Sequence, residues 1–214
     1  MTPPDQDRSP LFQLPVMAGF SSDRGRVIGA AADLVTAEGN LELPWELVAK
    51  RSGVHEDVVR RLFPTTDALL AATLTLVDSR NGTTYYGSAD GEGWAGLEVF
   101  VALMGQVAKQ EGNIKAYSRL RSEAIDPQHA AHEWLMEHRE GNYEVLMNAV
   151  QTGVDKGEMT ADINPQQVAQ TLLGIAEGIQ LQWLASRGKV PVQAAVRDYV
   201  DLLRSRYATE NFKA

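Results

Sequence analysis

The chain has 214 residues and no cysteine, which excludes a disulfide framework or a thiolate metal centre and leaves enough length for one or two domains with a real core. Its net charge of -8 and pI of about 5.0 speak against a nucleic-acid coat or a membrane-surface protein, yet allow a small basic patch on a larger acidic body. The opening MTPPDQDRSPLFQLPVMAGF has neither the basic start nor the unbroken apolar run of a signal peptide, and no later run is apolar enough to span a bilayer. A cytoplasmic protein with no membrane partner is expected.

Residues 1–22 are broken by Pro3, Pro4, Pro10 and Pro15 and read as a mobile arm. Leu11, Phe12, Leu14, Val16, Met17 and Phe20 give that arm apolar surface suited to partial docking on this chain or a partner. Beyond Ser22 nearly every segment has helical periodicity. Val27, Ile28, Ala31, Leu34 and Val35 share one face of a first helix that stops at Gly39. Pro44 suits the start of a second, ending near Gly53. A short third covers about His55 to Leu62, halted by Pro64, and a fourth starts at Thr65 or Thr66.

Gly87 to Trp94 (GSADGEGW) reads as a linker. The fifth helix carries Leu97, Phe100, Val101 and Met104 and is predicted to end near Gly112, with Asn113 capping the sixth. Asp126-Pro127 predicts the start of a long helix reaching Lys156, and Asn164-Pro165 the start of another. A last helix follows Gly188 and Pro191. No segment alternates like a strand, so the fold class is all-α: three N-terminal helices in a helix–turn–helix unit, then a helical C-terminal region.

VAKRSGVHEDVVRRLFPTTDALL, from Val48 to Leu70, is punctuated as helix, tight turn, helix. Residues 24–70 resemble, without a gap, the DNA-binding domain of tetracycline-repressor-type (TetR family) regulators. The likeness lies in AADL at 31–34, EG at 38–39, VAKRSGV at 48–54, FP at 63–64 and ALL at 68–70. EAIDPQHAAHEW at 123–134, GEMTADINP at 157–165 and EGIQLQWL at 177–184 resemble the family's ligand-binding region. Beyond the arm at 1–22, the resemblance implies a DNA-binding domain at 23–70 and a ligand-binding and dimerisation domain at 71–214. It further implies a homodimer on a palindromic operator, released when a small molecule shifts the helix that begins near Thr65. The two recognition helices would have to sit about 34 Å apart, or a multiple of it, to enter successive major grooves.

The DNA-facing positions depart from the family's usual residues. His55 stands where a serine or threonine opens the recognition helix, Arg60 where a tyrosine touches phosphate, Thr66 where a lysine is common, and Leu43-Pro44-Trp45 where a threonine starts the second helix. Arg60 and Arg61 are the expected chief DNA contacts, with Arg26 and Lys50 as phosphate contacts and His55, Glu56, Trp45 and Thr66 along the same face. Glu56 and Asp57 repel phosphate, although a carboxylate can accept from cytosine. Residues 24–80 hold seven lysines and arginines against eight aspartates and glutamates, a poor balance for binding driven by counterion release. The competing reading is a helix–turn–helix module that has turned from DNA to a protein partner.

Phe100, Met104, Tyr117, Leu120, Trp134, Met147 and Trp183 are candidate walls of a pocket for a small, mainly apolar effector; plain core packing is the bland alternative. Arg121, Gln151 and Glu177, with Glu123, are candidate polar contacts that would orient it. Val168, Leu172, Ile175 and Ile179, with Val196, Tyr199 and Leu203 on the last helix, are the expected dimer surface, unless one chain buries them itself. His129, His132 and Glu133 share a helical face that suits a metal, but His138 falls off it and H-E-x-x-H is absent, so no metal or cofactor is expected. No P-loop, nucleophile elbow or Rossmann glycine pattern occurs, and no enzymatic activity is expected.

Overall fold

Ser22 caps helix α1 (Asp23–Glu38): its hydroxyl accepts from the Gly25 amide at 3.1 Å. Gly39, at φ 63°, ends the helix in the left-handed conformation that costs a glycine least. The computed structural model describes residues 22–86 and 91–213, so residues 1–21 of the expected arm and the linker positions 87–90 lie outside the described residues. Asn40 shapes the next turn, its side-chain oxygen accepting from the Glu42 and Leu43 amides at 3.2 and 3.3 Å. Leu43 there has φ 45° and is fully buried. Burial worth about 1.5–3 kcal/mol outweighs a backbone cost of about 1–2 kcal/mol.

Helices α2 (Trp45–Ser52) and α3 (Glu56–Leu62) follow, joined through Gly53. Pro44 is the residue before α2 rather than its first, and His55 caps α3 with a ring nitrogen: Nδ1 accepts from the Asp57 amide at 3.3 Å. Helix α4 (Thr66–Tyr86) then runs 21 residues without a break. Its first half belongs to the N-terminal core, in which Val27, Leu34, Val48, Val59, Phe63 and Leu70 are all buried. That core does not end at residue 70. Leu74 of α4 and Ala116, Tyr117 and Leu120 further along the chain belong to the same apolar cluster.

Helices α5 (Gly93–Val107) and α6 (Glu111–Glu123) differ from expectation at their junction. α5 ends five residues before Gly112, and Asn113 lies inside α6 instead of capping it. Asn113 is buried because it makes a cross-link: its Oδ1 accepts from the Thr36 hydroxyl of α1 at 2.9 Å, while its amide donates to Gln110.

Helix α7 (His132–Asp155) also begins later than Asp126-Pro127 implied. Residues 126–131 form turns held by their own side chains: Asp126 Oδ1 accepts from the Gln128 amide at 2.9 Å and His129 Nδ1 from the Ala131 amide at 3.2 Å. Asn164-Pro165 does open α8 (Pro165–Ala185), and α9 (Val192–Tyr207) follows Pro191. A second core lies among α5, α7, α8 and α9, around Leu97, Val101, Val150, Leu172, Val196 and Val200. Among the described residues the only β pairing is an isolated bridge between Met159 and Ala208. The fold is all-α.

Candidate functional site

The helix–turn–helix face is built by α2 and α3. Arg60 does not stand free on it: Glu56, one turn earlier, accepts from its Nε and Nη2 at 2.9 and 2.6 Å. The guanidinium also lies 5.6 Å from the Trp45 ring of α2. Glu56, Arg60 and Trp45 therefore form one cluster across the turn. Arg61 and Lys50 are exposed and have no ion pair among the described residues. Arg26 is held by Asp23 at 2.9 Å, Thr66 is half-buried at the first position of α4, and His55 is occupied with the α3 cap. Trp45 is half-buried rather than exposed.

A cavity of about 670 Å³ opens among α4, α5, α6, α7 and α8. Of the eleven ligand-contact candidates, Phe100, Met104, Tyr117, Arg121, Trp134 and Glu177 line it. The other five do not, and Glu123 among them pairs with Arg119 instead. Leu120 is wholly buried in the N-terminal core, because α6 turns that side toward α1–α3. Trp183 packs beside Gly188 at the far end of α8, and Met147 and Gln151 lie on the side of α7 that faces a shallow groove near Asn164.

The cavity's polar end was not anticipated. His138 is held at both ring nitrogens: Nδ1 is 3.2 Å from an Asp78 carboxylate oxygen of α4, and Nε2 is 2.9 Å from the Asn142 amide. Its ring stacks against Trp134 and Tyr117, at centroid distances of 5.0 and 5.4 Å. Trp134 Nε1 donates to the Thr75 hydroxyl of α4 at 2.9 Å, and the Tyr117 hydroxyl donates to the Leu74 carbonyl at 3.2 Å. Asp78 carried a faint sequence signal, as the charge that ends the uncharged run LLAATLTLV at 69–77.

Burial pushes the Tyr117 phenol well above its ordinary 10.0; the nearby Asp78 charge pushes it the same way, and Arg121 opposes them. Because the folded pKa is raised, the folded chain holds a proton that the unfolded chain loses near pH ~10. The stability is thus complete below that pH and is lost as pH climbs toward the folded value. Thermal melts from pH ~9 to ~11 should fall more steeply for the parent than for Tyr117→Phe. Parallel slopes would mean that the phenol ionises alike in both states.

The three residues grouped as a possible metal set are not brought together. His132 Nδ1 lies 2.9 Å from the Ala124 carbonyl, Glu133 is exposed, and His129 turns to Asp67 at 3.4 Å. Asp67, Glu123 and His129 place ligand-type atoms within 4.8 Å of one another. Arg119, however, binds Asp67 at 2.6 Å and Glu123 at 3.3 Å, so a guanidinium already occupies that cluster. The same arginine donates to the Leu41 carbonyl at 3.1 Å, joining α6 to both the α1–α2 turn and the foot of α4.

The expected dimer stripe divides. Val168, Leu172, Val196 and Leu203 are buried within this chain's own core, and Ile175, Ile179 and Tyr199 pack partly against it. The opposite faces of the last two helices carry exposed Leu181 and Leu202, and no atom lies within 4 Å of where a Cβ would stand on Gly174 or Gly178.

Residues 117–199 match the sequence model of the tetracyclin repressor-like C-terminal domain. A search of curated proteins gives no match. Among solved structures, a Rhodococcus sp. protein described as a TetR-family transcriptional regulator is 21% identical, with a TM-score of 0.70 over 86% of this chain and 98% of its own. A transcriptional-regulator structure from Saccharomonospora viridis, determined with choline, is 16% identical with a TM-score of 0.68, covering 89% of this chain and all of that one. The TetR-family repressor QsdR from R. erythropolis is 25% identical with a TM-score of 0.54, over 85% and 93% of the two chains. The chain thus matches the tetracyclin repressor-like C-terminal domain over residues 117–199 and shares the all-α fold of these TetR-family structures across its described residues.

Proposed function

We propose that the protein is a ligand-responsive transcriptional regulator that binds a palindromic operator as a homodimer and is released by a small, mainly apolar effector. One observation carries this reading: α4 both completes the N-terminal core, through Leu69, Leu70 and Leu74, and walls the cavity, through Thr75, Asp78 and Ser79. An effector that prefers one position of α4 shifts the recognition helices by the same linkage. The choline bound to the S. viridis neighbour lends support to a small-molecule site in this fold. The functional division between residues 23–70 and 71–214 thus falls inside α4, and the helix belongs to both units.

The test is selection of bound duplexes from a random DNA pool by the purified dimer at physiological salt. An enriched palindrome is expected; no enrichment from a folded, effector-free dimer would overturn operator binding and favour a protein partner for Glu56 and Asp57.

Dimerisation is assigned to the outward faces of α8 and α9, where Gly174 and Gly178 allow close helix approach beside Leu181 and Leu202. Each leucine buried across the two-fold contributes about 1.5–3 kcal/mol. Leu181→Glu with Leu202→Glu should therefore leave a folded monomer in sedimentation at micromolar concentration. A dimer unchanged in strength would move the interface elsewhere.

A further inference from the structure

We infer that the cavity selects a positively charged organic molecule, a cation on an apolar body, with its charge seated near Asp78. This deepens the effector reading above and rests on it. The lining holds five carboxylates (Asp78, Glu137, Glu140, Glu144 and Glu177) against one arginine. That arginine, Arg121, is already committed: its Nε is 3.7 Å from Glu177, and its guanidinium lies 5.4 Å from the Tyr117 ring. The field inside the cavity is consequently negative, and apolar walls such as Phe100, Leu103 and Leu173 strengthen it by excluding water.

An anion entering here meets three carboxylates without an ion pair among the described residues, Glu137, Glu140 and Glu144. A cation meets charge of the opposite sign and a lining that includes the Phe100 and Trp134 rings, whose π-systems favour cations electrostatically. Gln180 adds a second pointer. It is only 6% exposed, lines the cavity, and among the described residues makes a single weak hydrogen bond, from its amide to the Met104 sulfur at 3.5 Å. Its carboxamide oxygen makes no hydrogen bond among the described residues and so leaves the lining one acceptor for a ligand's donor. The volume, about 670 Å³, suits a drug-sized molecule.

The probes are tetraphenylphosphonium and tetraphenylborate, ions of nearly one shape and opposite charge, titrated calorimetrically into the full-length protein. Tetraphenylphosphonium should bind at least about tenfold more tightly than the borate. Asp78→Asn and, separately, Glu144→Gln should each weaken the cation by about three- to tenfold and leave or improve the anion. Two variants are needed because Asp78 also holds His138, and each is checked by its melting midpoint. Equal binding of the two ions, tighter binding of the borate, or binding of neither would overturn the inference. Operator selection on the same preparation separates the two readings: DNA binding with no cation preference removes only this inference. Cation preference without DNA enrichment removes the regulator reading and leaves the cation site standing.

Discussion

Gly112→Ala is expected to lower the thermal midpoint by about 5–10 °C. The added Cβ would stand 2.0 Å from the Val35 carbonyl oxygen and 3.1 Å from its carbon, on the backbone of α1. A side chain could swing aside; a helical carbonyl in a buried turn cannot, since Val35 is itself wholly buried and its carbonyl accepts from the Gly39 amide at 3.1 Å. Relief requires α6 to back away from α1, which stretches the Thr36–Asn113 hydrogen bond and opens the packing around Ala116 and Leu120. Overpacking of this kind costs about 1–3 kcal/mol, and for a chain of this size each kcal/mol moves the midpoint by about 2–4 °C. A variant melting within about a degree of the parent would show that α1 and α6 are less tightly joined than their backbones imply.

The second large effect concerns DNA. Arg60→Ala with Arg61→Ala should weaken operator binding by about a thousandfold or more, while dimerisation and the melt stay close to the parent. Four arginines leave the interface of a symmetric dimer, and at the low end of about 1 kcal/mol each the sum reaches that factor. The two are not equivalent. Arg61 is exposed with no ion pair among the described residues, whereas Arg60 is held by Glu56 and backed by Trp45, which fixes the fork of its guanidinium in advance of any ligand. Arg61→Ala alone should thus flatten the salt dependence and weaken all sequences alike; Arg60→Ala alone should relax discrimination at one base of each half-site. Glu56→Gln should raise non-specific affinity by about fivefold per protomer by removing a charge next to phosphate. Full operator affinity in the double variant would remove both arginines from the interface.

Helix ends were legible wherever one residue type satisfies a backbone group locally. Ser22, Gly39, Gly53 and Asn164-Pro165 act at the places their chemistry implies. Asp126-Pro127 misleads because the aspartate spends its cap on a turn, and turns continue through Ala131 before α7 begins. The apolar faces were legible as faces but not by destination. Periodicity marks Leu172, Val196 and Leu203 as one-sided, and only packing reveals that their side is this chain's own core and not a partner. The polar end of the cavity was out of reach for the same reason: Asp78 and His138 meet only after α4 and α7 have packed, and nothing near either residue announces the other.

Arg119 has a mechanical consequence. By tying Asp67 to α6 and to the Leu41 carbonyl, it pins the foot of α4 and turns the helix into a lever with a fixed fulcrum. Asp78, eleven residues along at 1.5 Å per residue, sits about 16 Å up the arm. A push of about 1 Å there is therefore a rotation of about 3–4°, with almost no travel at the base. On the proposed function, the small N-terminal unit, gripped at that base, would tilt more than it slides, and the signal passed to the operator would be an angle. Freeing the fulcrum would leave the cavity able to bind and the recognition helices deaf to it.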